Sequence, residues 1–314
     1  MLKMKKAMKN IITTLLLVCL FTGTVFAQDT TATKKSGNSN KSLLGYFIIN
    51  DGKPVSNPYE SDYLIDNYTN VIPSAQTLEM VIQHRFGSLN NGMEDFLGIY
   101  GAANTRLALN YAITDWVQVS LGTTKTFYLV DLGVKFALLK QSRNNNSPVD
   151  VTFIHNFSID CREDDNFGED PQFSNRMAFF NELLVTRKFT NWLTLSVGGS
   201  LSHLNQVDSL YNHDKFAMHF LGRVKVSPQG SIIVNYDLPF KGENMKEWSE
   251  IKERLVYNFG IGYEIATATH AFQVFVGSGN YLVPQYNVMK NGNKFFVSTE
   301  NIFIGFNITR QWGF

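Results

Sequence analysis

The chain has 314 residues, a formal net charge of +1 and 18% charged residues, whereas aromatic residues make up 13%. The sequence has no strongly basic patch, so nucleic acid is not an expected partner. After residue 27 no apolar run approaches the roughly 18 residues that a membrane-spanning helix needs, which argues against a helical membrane protein.

Residues 1–27 are predicted to be a secretory signal peptide. Residues 11–21 are mostly apolar, and Ala27 is a small residue at the position that signal peptidase reads. Four positive charges precede the apolar stretch: Lys3, Lys5, Lys6 and Lys9. We expect cleavage after Ala27 and export across the inner membrane. Loss of these lysines changes the net charge from +1 to −3.

The sequence contains two cysteines, Cys19 and Cys161. Lipidation of Cys19 is a rival interpretation of the leader, but the bulky Val18 stands where a lipoprotein site requires a small residue. After cleavage we expect Cys161 to remain alone. No internal disulfide can then form, and no stabilising role of the oxidising compartment is predicted.

The mature chain is predicted to have three parts. Residues 28–42 are Thr, Lys, Ser, Asn and Gly in low-complexity order, which is typical of a disordered linker. Residues 43–76 contain prolines among aromatic residues, and they predict an irregular segment that plugs or caps the following domain. Residues 77–314 are predicted to be an outer-membrane β-barrel.

From Thr77 onward the dominant period of the sequence is two. The even-numbered positions from Tyr128 to Leu138 are apolar, while Asp131 and Lys135 lie on the opposite face, as expected for a strand with one face against hydrocarbon. The same alternation predicts twelve strands: Thr77 to Arg85, Ala103 to Tyr111, Trp116 to Thr123, Thr126 to Leu138, Val149 to Asp160, Arg176 to Lys188, Leu193 to Leu204, Lys215 to Val226, Ser231 to Phe240, Arg254 to Glu264, Ala271 to Gly279 and Thr299 to Trp312.

The connections between these strands alternate in length. Most links from an odd to an even strand are long and polar, whereas most links from an even to an odd strand have about six residues or fewer. This asymmetry is typical of an outer-membrane barrel. The sequence therefore predicts an all-β, antiparallel transmembrane β-barrel of about 12 strands, with short periplasmic turns and longer extracellular loops. A soluble two-sheet sandwich is the alternative with the same period.

Three tryptophans are predicted to form an interface girdle. Trp116 and Trp192 each follow a tight turn, in "TDW" and "TNW", and Trp312 lies near the end of the last strand. Tryptophan is enriched at the level of lipid headgroups. The final residue, Phe314, is predicted to be the signal that the barrel-insertion machinery recognises. The expected partners are that machinery, outer-membrane lipid and lipopolysaccharide.

Several segments resemble a known family of proteins. They are "IQHRFG" from Ile82, "GAANTRLALNYAITDW" from Gly101, "LLVTRKFTNWLTL" from Leu183, "HAFQVFV" from His270 and "IFIGFNITRQW" from Ile302. Together they are similar to an uncharacterised family of outer-membrane β-barrels of gram-negative bacteria, described only as a domain of unknown function. The resemblance implies the barrel and its outer-membrane location, and it implies no activity, substrate or catalytic residue.

The predicted inward face collects charges of both signs. Eight of them are the candidate lumen-lining residues, namely Glu79, Arg106, Asp131, Lys135, Glu182, Arg223, Asp237 and Glu264, and Arg85 and Lys225 share this face. Such a set either pairs internally to fill the lumen or lines a hydrated path for a solute. Residue types alone do not separate these two alternatives.

Other candidate chemistry is weak. The loop "CREDDNFGEDPQF" from Cys161 is acidic, but its spacing matches no calcium loop, and a solvated loop facing lipopolysaccharide is the simpler interpretation. The histidines have no zinc spacing, so no metal and no cofactor are predicted. Ser202, His203 and Asn205 faintly suggest a lipase, yet neighbouring residues of a strand face opposite sides.

The sequence thus predicts a non-enzymatic barrel, most simply a narrow channel or transporter for a small solute that is not identified. A structural or surface-interaction barrel without transport is the alternative, and a membrane lipid hydrolase is a third.

Overall fold

The computed structural model describes residues 53–56, 58–207, 212–240 and 256–314. The predicted signal peptide and the predicted linker lie outside the described residues. Within the described ranges, no helix has the length and apolar character needed to cross a membrane.

The described chain consists mainly of antiparallel strands. Two short strands come first: β1 (Tyr63–Leu64) and β2 (Asn67–Tyr68) pair with each other as a hairpin. Twelve strands then form one closed barrel: β3 (Thr77–Ser88), β4 (Asn104–Thr114), β5 (Val117–Thr124), β6 (Leu129–Leu139), β7 (Asp150–Asp160), β8 (Met177–Lys188), β9 (Leu193–Leu204), β10 (Asp214–Lys225), β11 (Gly230–Pro239), β12 (Asn258–Ala266), β13 (His270–Gly277) and β14 (Phe303–Gly313).

The barrel closes between its first and last strands. β14 pairs with β3 from Gly313 opposite Thr77 to Phe303 opposite Ser88, and every other barrel strand pairs with its neighbours in sequence. Closure leaves no free sheet edge, so the backbone N–H and C=O groups can all be paired within hydrocarbon. The predicted antiparallel barrel of about twelve strands is confirmed.

The fourth barrel strand begins at Leu129 rather than at Thr126, which corrects the predicted boundary. Thr126–Tyr128 form a short 3-10 helix in which Phe127 has a φ of 60°. This turn places the Phe127 ring 5.3 Å from the ring of Tyr286, a residue distant in sequence. The period of the sequence cannot indicate such a contact.

The connections divide the barrel into two unlike ends. The end that we call the short-turn rim carries residues 115–116, 140–149, 189–192, 226–229 and 267–269. The opposite end, called the long-loop rim, carries the described residues 89–103, 125–128, 161–176, 205–207, 212–213, 240, 256–257 and 278–302. The predicted alternation of long and short connections is therefore present.

The side chains of each strand alternate between the two faces of the wall. On β4, Leu107 and Leu109 are about half exposed on the outer face at 50% and 49%, whereas Arg106 and Asn110 are buried on the inner face. A continuous apolar outer surface is what hydrocarbon requires of a membrane barrel.

Residues 58–73, here called the N-terminal plug, fold into the barrel interior through the β1–β2 hairpin. Leu64 and Ile65 are fully buried and belong to one apolar cluster with wall residues such as Val81 and Ile154. Both flanks of the plug line a single cavity at the short-turn rim. The plug therefore enters and leaves the barrel by the same rim.

A second element fills the other end of the interior. The helix α1 (Pro284–Lys290) belongs to the connection between β13 and β14, and most of its residues are buried. Val283, Tyr286 and Met289 form an apolar cluster with Leu129 and Leu204. The core of the molecule thus lies inside the barrel, between its wall and these two elements.

Candidate functional site in the barrel interior

The structure places all eight candidate lumen-lining residues on the inner face of the wall. Each is buried, with 4% exposure or less, and each occupies an inward position of its strand: Glu79, Arg106, Asp131, Lys135, Glu182, Arg223, Asp237 and Glu264. Arg85 lies on the same face and is equally buried, while Lys225 is partly exposed beside the short-turn rim. The set is brought together in one interior, but its members have different kinds of partner.

Arg106 and Asp131 form an ion pair within the wall. The Arg106 Nε and Nη2 atoms donate to the two Asp131 carboxylate oxygens at 2.9 and 2.6 Å. This two-point geometry is strong because the guanidinium fork matches a carboxylate. The pair passes over Gly122 of β5, where an added Cβ would lie 2.5 Å from Asp131 and 2.6 Å from Arg106. A side chain at this position would therefore displace the ends of the Asp131 and Arg106 side chains.

Arg85 forms its ion pair with the N-terminal plug. Its Nη2 atom lies 2.6 Å from Asp66 Oδ1, and both side chains are only 1% exposed. Nη2 also donates to the carbonyl oxygen of Ile65, Nη1 donates to Asn307, and the guanidinium lies 4.3 Å from the centre of the Phe275 ring. The one carboxylate paired with Arg85 within the described ranges belongs to the plug.

Lys135 repeats this arrangement nearer the short-turn rim. Its Nζ atom is paired with the Asp62 carboxylate and donates to the carbonyl oxygens of Thr69 and Val71 at 2.8 and 3.2 Å. Asp62 also accepts a hydrogen bond of 2.8 Å from Asn110 of the wall. The plug thus surrounds the ammonium group with oxygen atoms.

Arg223 is shared between the plug and the wall. Its Nη2 atom lies 2.7 Å from Glu60 of the plug, and its Nε atom lies 3.1 Å from Glu264 of the wall. Glu264 in turn accepts a hydrogen bond of 2.8 Å from Gln273. If Glu60 were removed, Arg223 would keep a carboxylate partner.

Uncharged contacts complete the attachment of the plug. The Tyr59 hydroxyl lies 2.8 Å from the Ser196 hydroxyl, and the Asn156 amide donates to the Tyr68 hydroxyl at 3.2 Å. Gln273 donates to the carbonyl oxygen of Tyr63. These bonds fix the depth of the hairpin within the barrel.

Three consecutive strands carry a buried series that the sequence did not reveal. Ser200 Oγ lies 2.7 Å from His219 Nε2, and His219 Nδ1 lies 2.8 Å from Asp237 Oδ1. The same order of groups occurs in serine hydrolases. Here Asn67 of the plug and Asn258 of the wall also donate to Asp237, and all three members of the series are buried. In the described conformation the series is part of the wall's polar network.

The helix α1 is attached by different means at the long-loop rim. Lys215 donates from Nζ to the carbonyl oxygens of Val288 and Met289 at 3.2 and 2.9 Å, near the end of the helix. Gln285 donates to Asn156 and Ser158 of β7. Burial raises the pKa of the Tyr286 phenol well above its usual range.

Cavities lie on both sides of the plug. One of about 580 Å³ opens at the short-turn rim and is lined by residues that include Glu60, Lys225 and Gln311. Another of about 240 Å³ lies at the long-loop rim beside α1, where Arg162 and Lys290 lie 4.5 and 4.9 Å from the centre of the Phe127 ring. Each end of the interior therefore contains a cavity, and the plug lies between the two.

The predicted girdle residues lie at the short-turn rim. Trp116 is 47% and Trp192 is 55% exposed on the outer surface. Lys140 lies 5.0 Å from the centre of the Trp116 ring, and Arg310 lies 4.9 Å from the centre of the Trp312 ring. The rings of Trp116 and Trp312 thus each lie beside a cation, which suits the headgroup level. Phe314 is exposed, and its N–H donates to the carbonyl oxygen of Gln76.

The weaker candidates are dispersed. Ser202 is buried on the inner face, whereas His203 lies on the other face and contacts Asp214 and Asn205, so no lipase-like grouping forms there. In the acidic loop Arg176 pairs with Asp164. Across the described residues no group of three or more histidine, cysteine, aspartate or glutamate side chains could hold a metal ion.

The plug carboxylates Glu60, Asp62 and Asp66 are among the interior residues that sequence reasoning missed. A signal was present, because "YESDYLIDNY" from Tyr59 to Tyr68 spaces acidic groups among tyrosines directly before a barrel with inward cations. The acidic groups of this segment and the inward cations of the barrel have opposite charges, so the sequence could have indicated that they form ion pairs.

Comparison with solved structures finds distant likeness. The NanC porin is 10% identical with a TM-score of 0.45, and the match covers 76% of this chain and 100% of that one. An outer membrane channel from Pseudomonas putida F1 is 13% identical with a TM-score of 0.46, over 77% and 97% of the two chains. The KdgM porin is 8% identical with a TM-score of 0.42, over 76% and 99%. These scores carry no functional argument.

No curated protein matches the chain. The model of one family, described as "Membrane bound beta barrel domain (DUF5777)", matches residues 59–312, which include the plug from Tyr59 onward and all twelve barrel strands. The chain belongs to this family of membrane-bound β-barrels.

Proposed function

We propose that the protein is an outer-membrane channel for a small polar solute and that the N-terminal plug closes the channel in the described conformation. The short-turn rim then faces the periplasm and the long-loop rim faces the cell exterior. The observation that carries this proposal is the partner choice of Arg85 and Lys135. Both cations belong to the wall, and both take their carboxylate partner from the plug.

A barrel that needs only to fill its interior can pair wall side chains with one another, as Arg106 and Asp131 do. Buried ion pairs add little net stability over apolar packing, because desolvation of the charges offsets their attraction. A charged inner wall is instead well suited to a lumen that holds water after the plug has left. The charged inner wall therefore favours a removable plug.

Unpaired amides in the wall support the same proposal. The side chains of Gln118 and Asn235 are buried, and neither their oxygen nor their nitrogen atoms have a hydrogen-bond partner in the described structure. Such groups cost free energy in a finished core. A hydrated lumen would satisfy them.

A second candidate is a barrel without transport, whose long loops contact lipopolysaccharide or a partner. It is favoured by the apolar packing of Leu64 and Ile65 against the wall and by the additional closure that α1 provides. In this alternative the plug is a permanent part of the core.

Single-channel conductance in planar bilayers separates the two candidates. We would compare the mature full chain with a plug-neutral variant, in which Glu60→Gln, Asp62→Asn and Asp66→Asn remove the charge of the plug. We expect rare openings of the unaltered chain and frequent openings of the variant, because unpaired Arg85 and Lys135 favour hydration over burial.

The matched control removes three negative charges outside the lumen, in the acidic loop, through Glu163→Gln, Asp164→Asn and Asp165→Asn. It should conduct like the unaltered chain. If the plug-neutral variant inserts as a heat-modifiable barrel and stays silent, the channel proposal fails and the second candidate is favoured.

A further inference from the structure

The wall carboxylates and the wall cations differ in where their partners lie. Asp131 is bound by Arg106 and Asn156, and Glu79 is bound by Asn110 and Gln311, all of them wall residues. Asp237 has His219 and Asn258, and Glu264 has Arg223 and Gln273. These carboxylates keep their wall partners when the plug is absent.

The two plug-facing cations Arg85 and Lys135, by contrast, have their ion-paired carboxylate in the plug and not in the wall. Within the described ranges Asp66 of the plug is the carboxylate paired with Arg85, and Asp62 of the plug is the carboxylate paired with Lys135. Departure of the plug would leave both cations facing the lumen without a carboxylate in ion-pair contact. Such groups then attract anions from solution.

The plug-facing cations are distributed along the barrel axis. Arg85 lies toward the long-loop end of β3, which begins at the short-turn rim with Thr77. Arg223 lies near the short-turn end of β10, whereas Lys135 lies in the middle of β6, slightly nearer its short-turn end. A strand rises about 3.3 Å per residue, so Arg85 and Lys135 stand at different depths of the lumen. An anion moving through would meet them in turn.

We infer that the solute of this channel is an anion that carries carboxylate or similar oxyanion groups, and that the plug carboxylates occupy the positions such groups take during passage. The inference rests on the proposed channel function. It identifies Arg85 and Lys135 as the residues that select the solute, with Arg223 as an additional contact near the short-turn rim.

Wall carboxylates such as Glu182 oppose anions and make the selectivity measurable. Glu182 is buried on the inner face of β8, and its Oε1 atom has no hydrogen-bond partner among the described residues. A lumen controlled by Glu182 would prefer cations. The sign of ion selectivity therefore distinguishes control by Arg85 and Lys135 from control by Glu182.

The test measures reversal potentials of the plug-neutral full-length chain in a potassium chloride gradient, and then adds citrate as a carboxylate probe. We expect a chloride-to-potassium permeability ratio above one and a reduced chloride current with citrate. Adding Arg85→Gln and Lys135→Gln should bring the ratio toward or below one and abolish the effect of citrate.

The control is Lys125→Gln in the same background, because Lys125 is an exposed residue at the long-loop rim. It should leave both readings unchanged. If the plug-neutral chain does not insert, the rare openings of the unaltered chain and of Asp66→Asn alone provide the same readings.

The outcomes separate the two proposals. A conducting barrel that prefers potassium, or whose selectivity ignores Arg85→Gln and Lys135→Gln, overturns the anion inference and leaves the channel intact. An inserted barrel that is silent in every variant overturns the channel, and the anion inference with it.

Discussion

Glu60, Asp62 and Asp66 attach the N-terminal plug to the wall through charge. The helix α1 is attached instead through an apolar cluster, one lysine and the neutral amide of Gln285. Withdrawal of α1 exposes apolar surface to water, which costs free energy in proportion to its area. Withdrawal of the plug exposes apolar surface too, but it also exposes charges that water solvates well. Both elements close the same interior, and the plug is better suited than α1 to leave it.

The largest expected effect comes from breaking one charged contact of the plug. Arg85→Gln leaves Asp66 buried without its cation, and removing one partner of a buried pair typically costs about 3–5 kcal/mol. We expect a loss of this order in the free energy of unfolding, measured by urea titration of the reconstituted barrel.

The double variant with Arg85→Gln and Asp66→Asn should recover most of this loss, because no uncompensated charge remains. A single variant that loses less than about 1 kcal/mol would mean that the pair is already hydrated. The plug would then be held mainly by apolar packing, and the contrast with α1 would disappear.

A smaller effect is expected at α1. Lys215→Met removes the ammonium donor to the carbonyl oxygens of Val288 and Met289, and hydrogen bonds to charged groups are worth about 1.5–3 kcal/mol. Hydrogen exchange of residues 284–290 should accelerate accordingly. Lys225→Met at the short-turn rim is the control and should leave this exchange unchanged.

The plug should stay in the barrel of the Lys215→Met variant, so its single-channel openings should be as rare as those of the unaltered chain. If Lys215→Met opened the channel as frequently as the plug-neutral variant does, α1 rather than the plug would be the closing element.

A neutral contact of the plug should matter less than a charged one. Tyr59→Phe removes the hydroxyl that lies 2.8 Å from Ser196, and we expect a loss of about 0.5–1.5 kcal/mol in urea titration. Ser196→Ala should cost more, because its hydroxyl also lies 2.7 Å from the Thr186 hydroxyl. The double variant should lose less than the sum of the two single losses, because both changes remove the bond between Tyr59 and Ser196. Fully additive losses would mean that the Tyr59 hydroxyl does not form a hydrogen bond with Ser196.

The smallest effect on closure is expected at the end of the chain. Deletion of Phe314 removes an exposed ring that contributes little packing, so conductance of the barrels that do form should be unchanged. The predicted consequence is slower insertion, measured as the heat-modifiable fraction in the outer membrane, with Phe314→Tyr as the control. Normal insertion of the deletion variant would contradict the predicted insertion signal.

The strands could be predicted from the sequence because the alternation of faces is local. Leu107 and Arg106 reveal their opposite environments through adjacent positions, and the same holds for Leu132 and Asp131. The burial of the charged candidates followed from this parity. The ion-pair and hydrogen-bond partners of these charged residues could not be predicted from the alternation.

Those partners depend on distance in sequence. Lys135 meets Asp62 across 73 positions, and Arg223 meets Glu60 across 163, so no period connects them. The helix α1 was missed for another reason, since Pro284–Lys290 is too short to establish a helical period within a long connection. It is placed by contacts with residues such as Leu129 and Tyr281.

The shared entrance of the plug has a mechanical consequence. Because both flanks of the hairpin line the cavity at the short-turn rim, the segment does not thread the barrel from one end to the other. Tension applied on the side of Pro58 would peel one arm of the hairpin away before the other, breaking the contacts of Glu60 and Asp62 ahead of those of Asp66. The three contacts would therefore break one after another. Withdrawing the plug in this way needs a smaller force than breaking all three contacts at once.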